Sequence, residues 1–202
     1  LHTEGYAEFD GKHYQLTPRV LRLGMGALAA LPLPQRVQPW LDQLSDNIGQ
    51  STSVSILDET EIVYLARAAQ RRVMSVGLLP GSRLPAHITS MGRVLLADLP
   101  EPEARALLER SNLTPRTPHS LTHPDEIMDE LARVRAQGFA IIDQEVELGL
   151  RSIAVPLLNG QGQMVAALNT GDAAVQGNAA DLETLFLPHL LRTQAGLARV
   201  LS

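Results

Sequence analysis

Cysteine is absent from all 202 residues. That excludes disulfides, thiolate metal sites and cysteine nucleophiles, and it fits a reducing compartment, so the expected location is the cytoplasm. No run of eighteen apolar residues occurs. The richest stretch, Ile153 to Leu158, closes at Asn159-Gly160, so no segment reads as a membrane-spanning helix and a soluble protein is expected. A basic block is missing too. Against 22 acidic residues stand 17 Lys and Arg, giving a net charge of −5, and they are scattered along the chain. This is the wrong footprint for autonomous nucleic-acid binding. No Gly-x-Ser-x-Gly, His-Glu-x-x-His or Walker sequence is found, nor any internal repeat or low-complexity tract. Leu1 stands where a Met would, with no export signal after it, so the expectation is a fragment whose natural chain begins upstream.

What is present suits one medium domain with a short appendage, since 45% of the residues are hydrophobic. Tyr6 and Tyr14 flank Asp10-Gly11, a pair that favours a two-residue hairpin turn, so residues 5–16 read as a small β-ribbon. A ribbon that size is marginal alone, and its packing partner is expected upstream. Thr17-Pro18 then starts a helix carrying Val20, Leu21, Leu23, Leu28 and Leu31, which ends among Pro32 and Pro34 and reads as a linker. From Arg36 to Ile48, Val37, Trp40, Leu41, Leu44 and Ile48 recur at helical spacing up to Gly49. Strands are expected over 51–57, 62–69 and 73–78. Helices follow over 91–97, 101–110 and 125–137, strands over 139–145, 152–157 and 164–170, and a closing helix over 179–201. Strands in two groups with helices between and around them describe an α+β fold with an antiparallel sheet flanked by helices.

Two segments could carry chemistry. In Gly81 to Ala97, a loop delivers Thr89 and Ser90 to a helix start, where backbone N–H groups and the helix dipole attract a carboxylate, and Gly92 would let a small ligand approach closely. The same residues also make an ordinary capped helix that packs Val94, Leu95 and Leu96 into a core. In Ile141 to Pro156, Asp143, Glu145 and Glu147 recur at period two, so on a strand they would face one way and need a partner. Arg151 could supply it, as could a ligand hydroxyl or a metal, and a solvated face or a structural ion pair reads equally well. His87, His119 and His123 could in principle join Asp143 on a metal, but their spacing is not diagnostic and surface or core histidines are the plainer reading.

Four ordered stretches resemble the C-terminal effector-binding domains of IclR-type transcriptional regulators. They are Tyr14 to Gly24, similar to a wing-to-linker passage; Pro85 to Ala97, similar to a pocket-floor helix; Asp143 to Pro156; and Ala166 to Gly171. The resemblance covers essentially the whole chain and is nearest in wording to the protocatechuate and hydroxybenzoate branch, which governs aromatic-acid catabolism through the β-ketoadipate pathway. It implies a GAF-like fold and a homodimer that often pairs into tetramers; no cofactor and no metal are expected. It also implies residues 1–16 as the wing remnant of a winged helix-turn-helix domain, 17–33 as a linker helix and 34–202 as the effector-binding domain. DNA would then be reached only through the missing N-terminal domain.

The same resemblance places ligand contacts at Met91, Gly92, Asp143, Leu150, Ser152, Leu168 and Thr170. The helix-start argument adds Ser90, while Arg67, Arg93 and Arg151 are candidates to hold a ligand carboxylate, chosen for charge and neighbourhood. The expected function is therefore sensing of a small organic acid by a non-enzyme. Two alternatives stay open, a hydrolase using Asp143 and Glu145, and a dimerisation module with a vestigial pocket.

Overall fold

The computed structural model describes residues 1–23, 32–70, 77–174 and 177–201. Its first elements are the short strands β1 (Ala7–Phe9) and β2 (Tyr14–Leu16), paired antiparallel with Phe9 opposite Tyr14. The turn between them holds four residues, not the two expected. The Asp10 carboxylate accepts from the N–H groups of Lys12 at 2.8 Å and His13 at 2.7 Å, and Gly11 takes φ 97°. Asp10 thus bends the backbone with its own side chain. Phe9, Tyr14 and Leu16 are exposed, as expected of a ribbon with no core of its own. Residues 19–23 are helical, and the remainder of the expected linker helix, 24–31, lies outside the described residues.

Helix α1 (Pro32–Ile48) begins four residues before the expected start at Arg36. Pro32 and Pro34 fall in its first turn, where a missing N–H costs nothing, so both are compatible with the opening of this helix. The boundary expected at residue 34 therefore lies within that first turn. Buried Val37, Leu41, Leu44 and Ser45 form its inward stripe, and Gly49, at φ 66°, releases the chain into the sheet.

Six strands make that sheet in the order β5-β4-β3-β8-β7-β6, every neighbouring pair antiparallel. They are β3 (Thr52–Asp58), β4 (Glu61–Ala68), β5 (Arg83–Pro85), β6 (Ala140–Asp143), β7 (Leu150–Leu158) and β8 (Met164–Ala173). The expected strand at 73–78 falls mostly outside the described residues, and Gly77 and Leu78 are not in a strand. The edge is instead β5, which reads as loop because Pro80-Gly81 and Pro85 bracket it; an edge strand tolerates proline.

Helices cover both faces. Against one lie α1 and α5 (Asp181–Leu197), burying Leu182, Phe186, Leu190 and Leu197 with Val54, Ile153, Val155, Leu157 and Leu168 of the sheet. Against the other lies α2 (Ser90–Asp98), reached by a 3₁₀ turn (Ala86–Ile88) and backed by α3 (Glu101–Arg110) and α4 (Pro124–Gln137). Because α2 is sandwiched, its residues Ser90 to Ala97 are all buried, which is why it reads as almost continuously apolar. Among the described residues no helix is long and apolar enough to cross a membrane.

Candidate effector cleft

A cleft opens where the N-terminus of α2 meets the sheet, and it takes in about 540 Å³, part of it open to solvent. Strand parity decides which side chains reach it. On β7, Ser152 and Ala154 face α2, whereas Ile153 and Val155 face α1 and α5. On β8, Asn169 and Gly171 line the cleft. Leu168 packs into the opposite core, and Thr170 donates its hydroxyl to the Ser51 carbonyl at 3.1 Å, beside Thr52, whose hydroxyl bonds the Leu41 carbonyl of α1. The family-based expectation for β8 is thus one residue out of phase with the cleft, and a one-residue slip exchanges the faces of a strand.

On β4 a bulge does the opposite and joins two residues that simple alternation would separate. Val54 pairs with Ala66 and Ser55 with Tyr64, leaving Leu65 unpaired. The extra residue turns both Tyr64 and Arg67 toward the cleft, although three positions separate them. Arg67 donates to the Ser53 hydroxyl at 2.8 Å, and among the described residues no carboxylate pairs with it. Partial burial pulls its guanidinium below the ordinary range. Burial pushes the Tyr64 phenol up to about 12, with the Arg67 charge working the other way, so the phenol stays protonated at neutral pH.

The floor is built at the start of α2. Thr89 caps the helix by accepting from the Gly92 N–H at 3.1 Å, and Ser152 donates its hydroxyl to that of Ser90 at 2.9 Å. Gly92 serves a different close approach from the one expected. A Cβ there would sit 2.1 Å from the Ala86 carbonyl oxygen, so the glycine admits the preceding backbone turn rather than a ligand. Met91 is fully buried in the core, its sulfur accepting from the Ser55 hydroxyl at 3.2 Å. Leu78, Leu84, Val146 and Leu150 supply the apolar walls.

The acidic run does not share a face. Strand β6 ends at Asp143, Gln144 takes φ 61°, and the chain turns. Asp143 accepts from Arg151 Nε at 2.7 Å on the α5 side of the sheet, where Arg151 also donates to the Gly177 carbonyl. Glu145 turns inward to Arg93, Nη2 to Oε2 2.7 Å, with Arg93 also 3.8 Å from Glu130. Burial pushes Glu145 up and Arg93 down, while their mutual attraction and the Leu121 N–H oppose it. Asp143, Arg93 and Arg151 are therefore committed to protein partners outside the cleft lining. The divergence of Asp143 and Glu145 also removes the shared carboxylate pair on which the hydrolase alternative rested.

His119 and His123 are exposed, and His87 is buried with neither ring nitrogen partnered among the described residues. Among the described residues no group of three or more His, Asp or Glu could hold a metal ion. Of the expected contacts, the cleft brings together Ser90, Leu150, Ser152 and Arg67. The residues that sequence reasoning missed include Tyr64, Val146, Asn169 and Gly171. For Asn169 and Gly171 the signal was present: antiparallel pairing sets Gly171 opposite Ser152, so both face one way.

An all-antiparallel sheet with a buried helix on one face and a half-enclosed cleft at that helix's start is the frame that positions this site. Residues 25–194 match the family described as bacterial transcriptional regulator IclR C-terminal, and the chain belongs to this family as an effector-binding domain. It is 42% identical over 198 residues to the Pca regulon regulatory protein of Pseudomonas putida, covering 98% of this chain and 68% of that one. It is 38% identical over 170 residues to the p-hydroxybenzoate hydroxylase transcriptional activator of Acinetobacter baylyi, covering 82% and 63%. The chain spans about two thirds of the length of these relatives. Among solved structures, it matches a double mutant of the PobR inducer-binding domain from Acinetobacter in complex with 3-hydroxybenzoic acid. That match has a TM-score of 0.79 and 34% identity, over 85% of this chain and 100% of the other.

Proposed function

We propose that the cleft binds a small aromatic acid and that binding controls DNA recognition by an N-terminal domain of the whole regulator. The observation that carries this reading is Arg67, a partly buried cation with no carboxylate partner among the described residues, opening onto walls of Leu78, Leu84, Val146 and Leu150. Such a site favours an anion with an apolar body. The carboxylate is assigned to Arg67, whose charge faces the cleft with no carboxylate partner among the described residues, while Thr89 takes one of the N–H groups at the α2 N-terminus. The Ser90–Ser152 pair and Asn169 remain to hold a ring hydroxyl.

Relatives named for the Pca regulon and for p-hydroxybenzoate hydroxylase, and a neighbour solved with 3-hydroxybenzoic acid, support an aromatic acid over a short keto acid. The regulator is read as cytoplasmic, not an enzyme, with residues 1–16 belonging to its winged domain, 17–33 to a linker and the rest to the sensor. It acts as a homodimer or a tetramer whose protomer packing the ligand biases. A ligand shifts that equilibrium only by its differential affinity, on a scale of about 1–3 kcal/mol.

Thermal shift with protocatechuate, 4-hydroxybenzoate, β-ketoadipate and pyruvate tests the reading, since a ligand at about a hundred times its dissociation constant adds roughly 2.7 kcal/mol. A selective rise with a hydroxybenzoate is expected. Ser152→Leu, which fills the floor, should abolish it, and Asp143→Asn, on the other face, should leave it intact. A shift that survives Ser152→Leu and is lost in Asp143→Asn would move the site away from this cleft.

A further inference from the structure

Residues 144–149, between β6 and β7, form one wall of the cleft through Val146 and lead into Leu150. No strand ladder holds this arm, and Gln144 and Gly149 both take positive φ, 61° and 83°. Backbone bonds close its two ends, the Gln144 N–H to the Leu150 carbonyl at 2.8 Å and the Ala174 N–H to the Gly149 carbonyl at 2.7 Å, and side chains fix what lies between. The Thr117 hydroxyl donates to the Gln144 carbonyl at 2.7 Å, and the Ser120 hydroxyl to the Glu145 carbonyl at 2.8 Å. The Glu145 carboxylate reaches inward to accept from Arg93 at 2.7 Å and from the Leu121 N–H at 3.1 Å.

Arg93 is 2% exposed and stands on α2, three residues after Ser90 of the cleft floor. Its Nε donates to the His87 carbonyl at 2.9 Å, which ties it to the turn before the helix. One buried guanidinium therefore joins the floor helix to the wall arm. Stability alone gives little reason for such a pair, because an apolar pair of similar volume serves a core as well or better. A salt bridge supplies direction, which apolar contacts lack.

We infer that Arg93 and Glu145 are positioning residues for the cleft: their ion pair locks the 144–149 arm to α2 and sets the distance between wall and floor without touching the ligand. The inference rests on the effector reading for its functional consequence, but the locking can be measured without ligand.

The test compares Glu145→Gln with Glu130→Gln, which removes the second carboxylate from the same guanidinium on the α4 side. Hydrogen exchange of the 144–150 amides is followed in the unliganded protein, and 4-hydroxybenzoate affinity by calorimetry. Glu145→Gln is expected to speed arm exchange and weaken binding, each by about tenfold, whereas Glu130→Gln should leave both within about twofold. If the wild type fails to bind 4-hydroxybenzoate while arm exchange still follows this pattern, the lock stands and the choice of ligand falls. Unchanged arm exchange in Glu145→Gln, or equal loosening by both variants, overturns the inference. The paired change Arg93→Met with Glu145→Leu guards against a variant that does not fold. It should keep the melting temperature while the arm stays loose, and wild-type exchange in it would reduce the ion pair to packing.

Discussion

The His87 imidazole is 1% exposed, and neither ring nitrogen has a partner among the described residues. Burial, with the Arg93 charge close by, pulls its pKa from 6.5 down to about 4. Between those values the unfolded chain takes up a proton that the folded chain refuses. The stability contributed by neutral His87 is therefore complete above pH 6.5 and is lost as pH falls toward 4, by about 3 kcal/mol. His87→Phe should flatten that part of the stability profile in urea unfolding at a series of pH values. Glu145, pushed up by burial, adds a slope of the opposite sign, so the informative quantity is the difference between variant and wild type. An unaltered difference from pH 6.5 to 4 would mean that His87 is protonated in the fold. Sequence reading recovered four cleft residues at this scale, Ser90, Leu150, Ser152 and Arg67. It could not recover Tyr64, because the Leu65 bulge that turns it inward has no signature in the residues themselves, and it could not foresee that Arg93 and Arg151 pair with Glu145 and Asp143, because charge says nothing about which carboxylate lies near.

Among the elements, α2 does the most to place the cleft, and Gly92 is what lets it approach the preceding turn. Gly92→Ala would drive a methyl group into the Ala86 backbone carbonyl, an atom that cannot move aside without shifting the turn. Overpacking of this kind costs about 1–3 kcal/mol, and the Gly92 variant belongs at the upper end. Gly196→Ala makes a useful contrast. Its methyl group meets the outer edge of the Trp40 ring where α5 crosses α1, and a partly exposed ring can swing away. Urea midpoints should fall further for Gly92→Ala than for Gly196→Ala, and the reverse order would show that α2 can slide from the 3₁₀ turn. Helices α3 and α4 and strands β3, β4, β7 and β8 were legible within a few residues, since periodicity and caps act locally. The edge strand β5 was not, because its pairing with β4 is decided by tertiary contacts. Helix α1 was misjudged at its start because prolines both end helices and begin them.

At the scale of the molecule, the α+β class was legible from the grouping of strands and helices, and the family from four ordered stretches of residues. The strand order was not, because it depends on β3 pairing with β8 across more than a hundred residues. On the proposed reading the cleft holds an acid by its carboxylate on Arg67, and a comparison of two ligands in two proteins tests this. Calorimetric titration of 4-hydroxybenzoate and 4-hydroxybenzyl alcohol into the wild type and Arg67→Gln measures how much the carboxylate contributes with and without the guanidinium. A charge-assisted hydrogen bond is worth about 1.5–3 kcal/mol, roughly ten- to a hundredfold. The wild type should therefore prefer the acid by that factor, and Arg67→Gln should lose most of the preference. An equal preference in both proteins would place the carboxylate elsewhere.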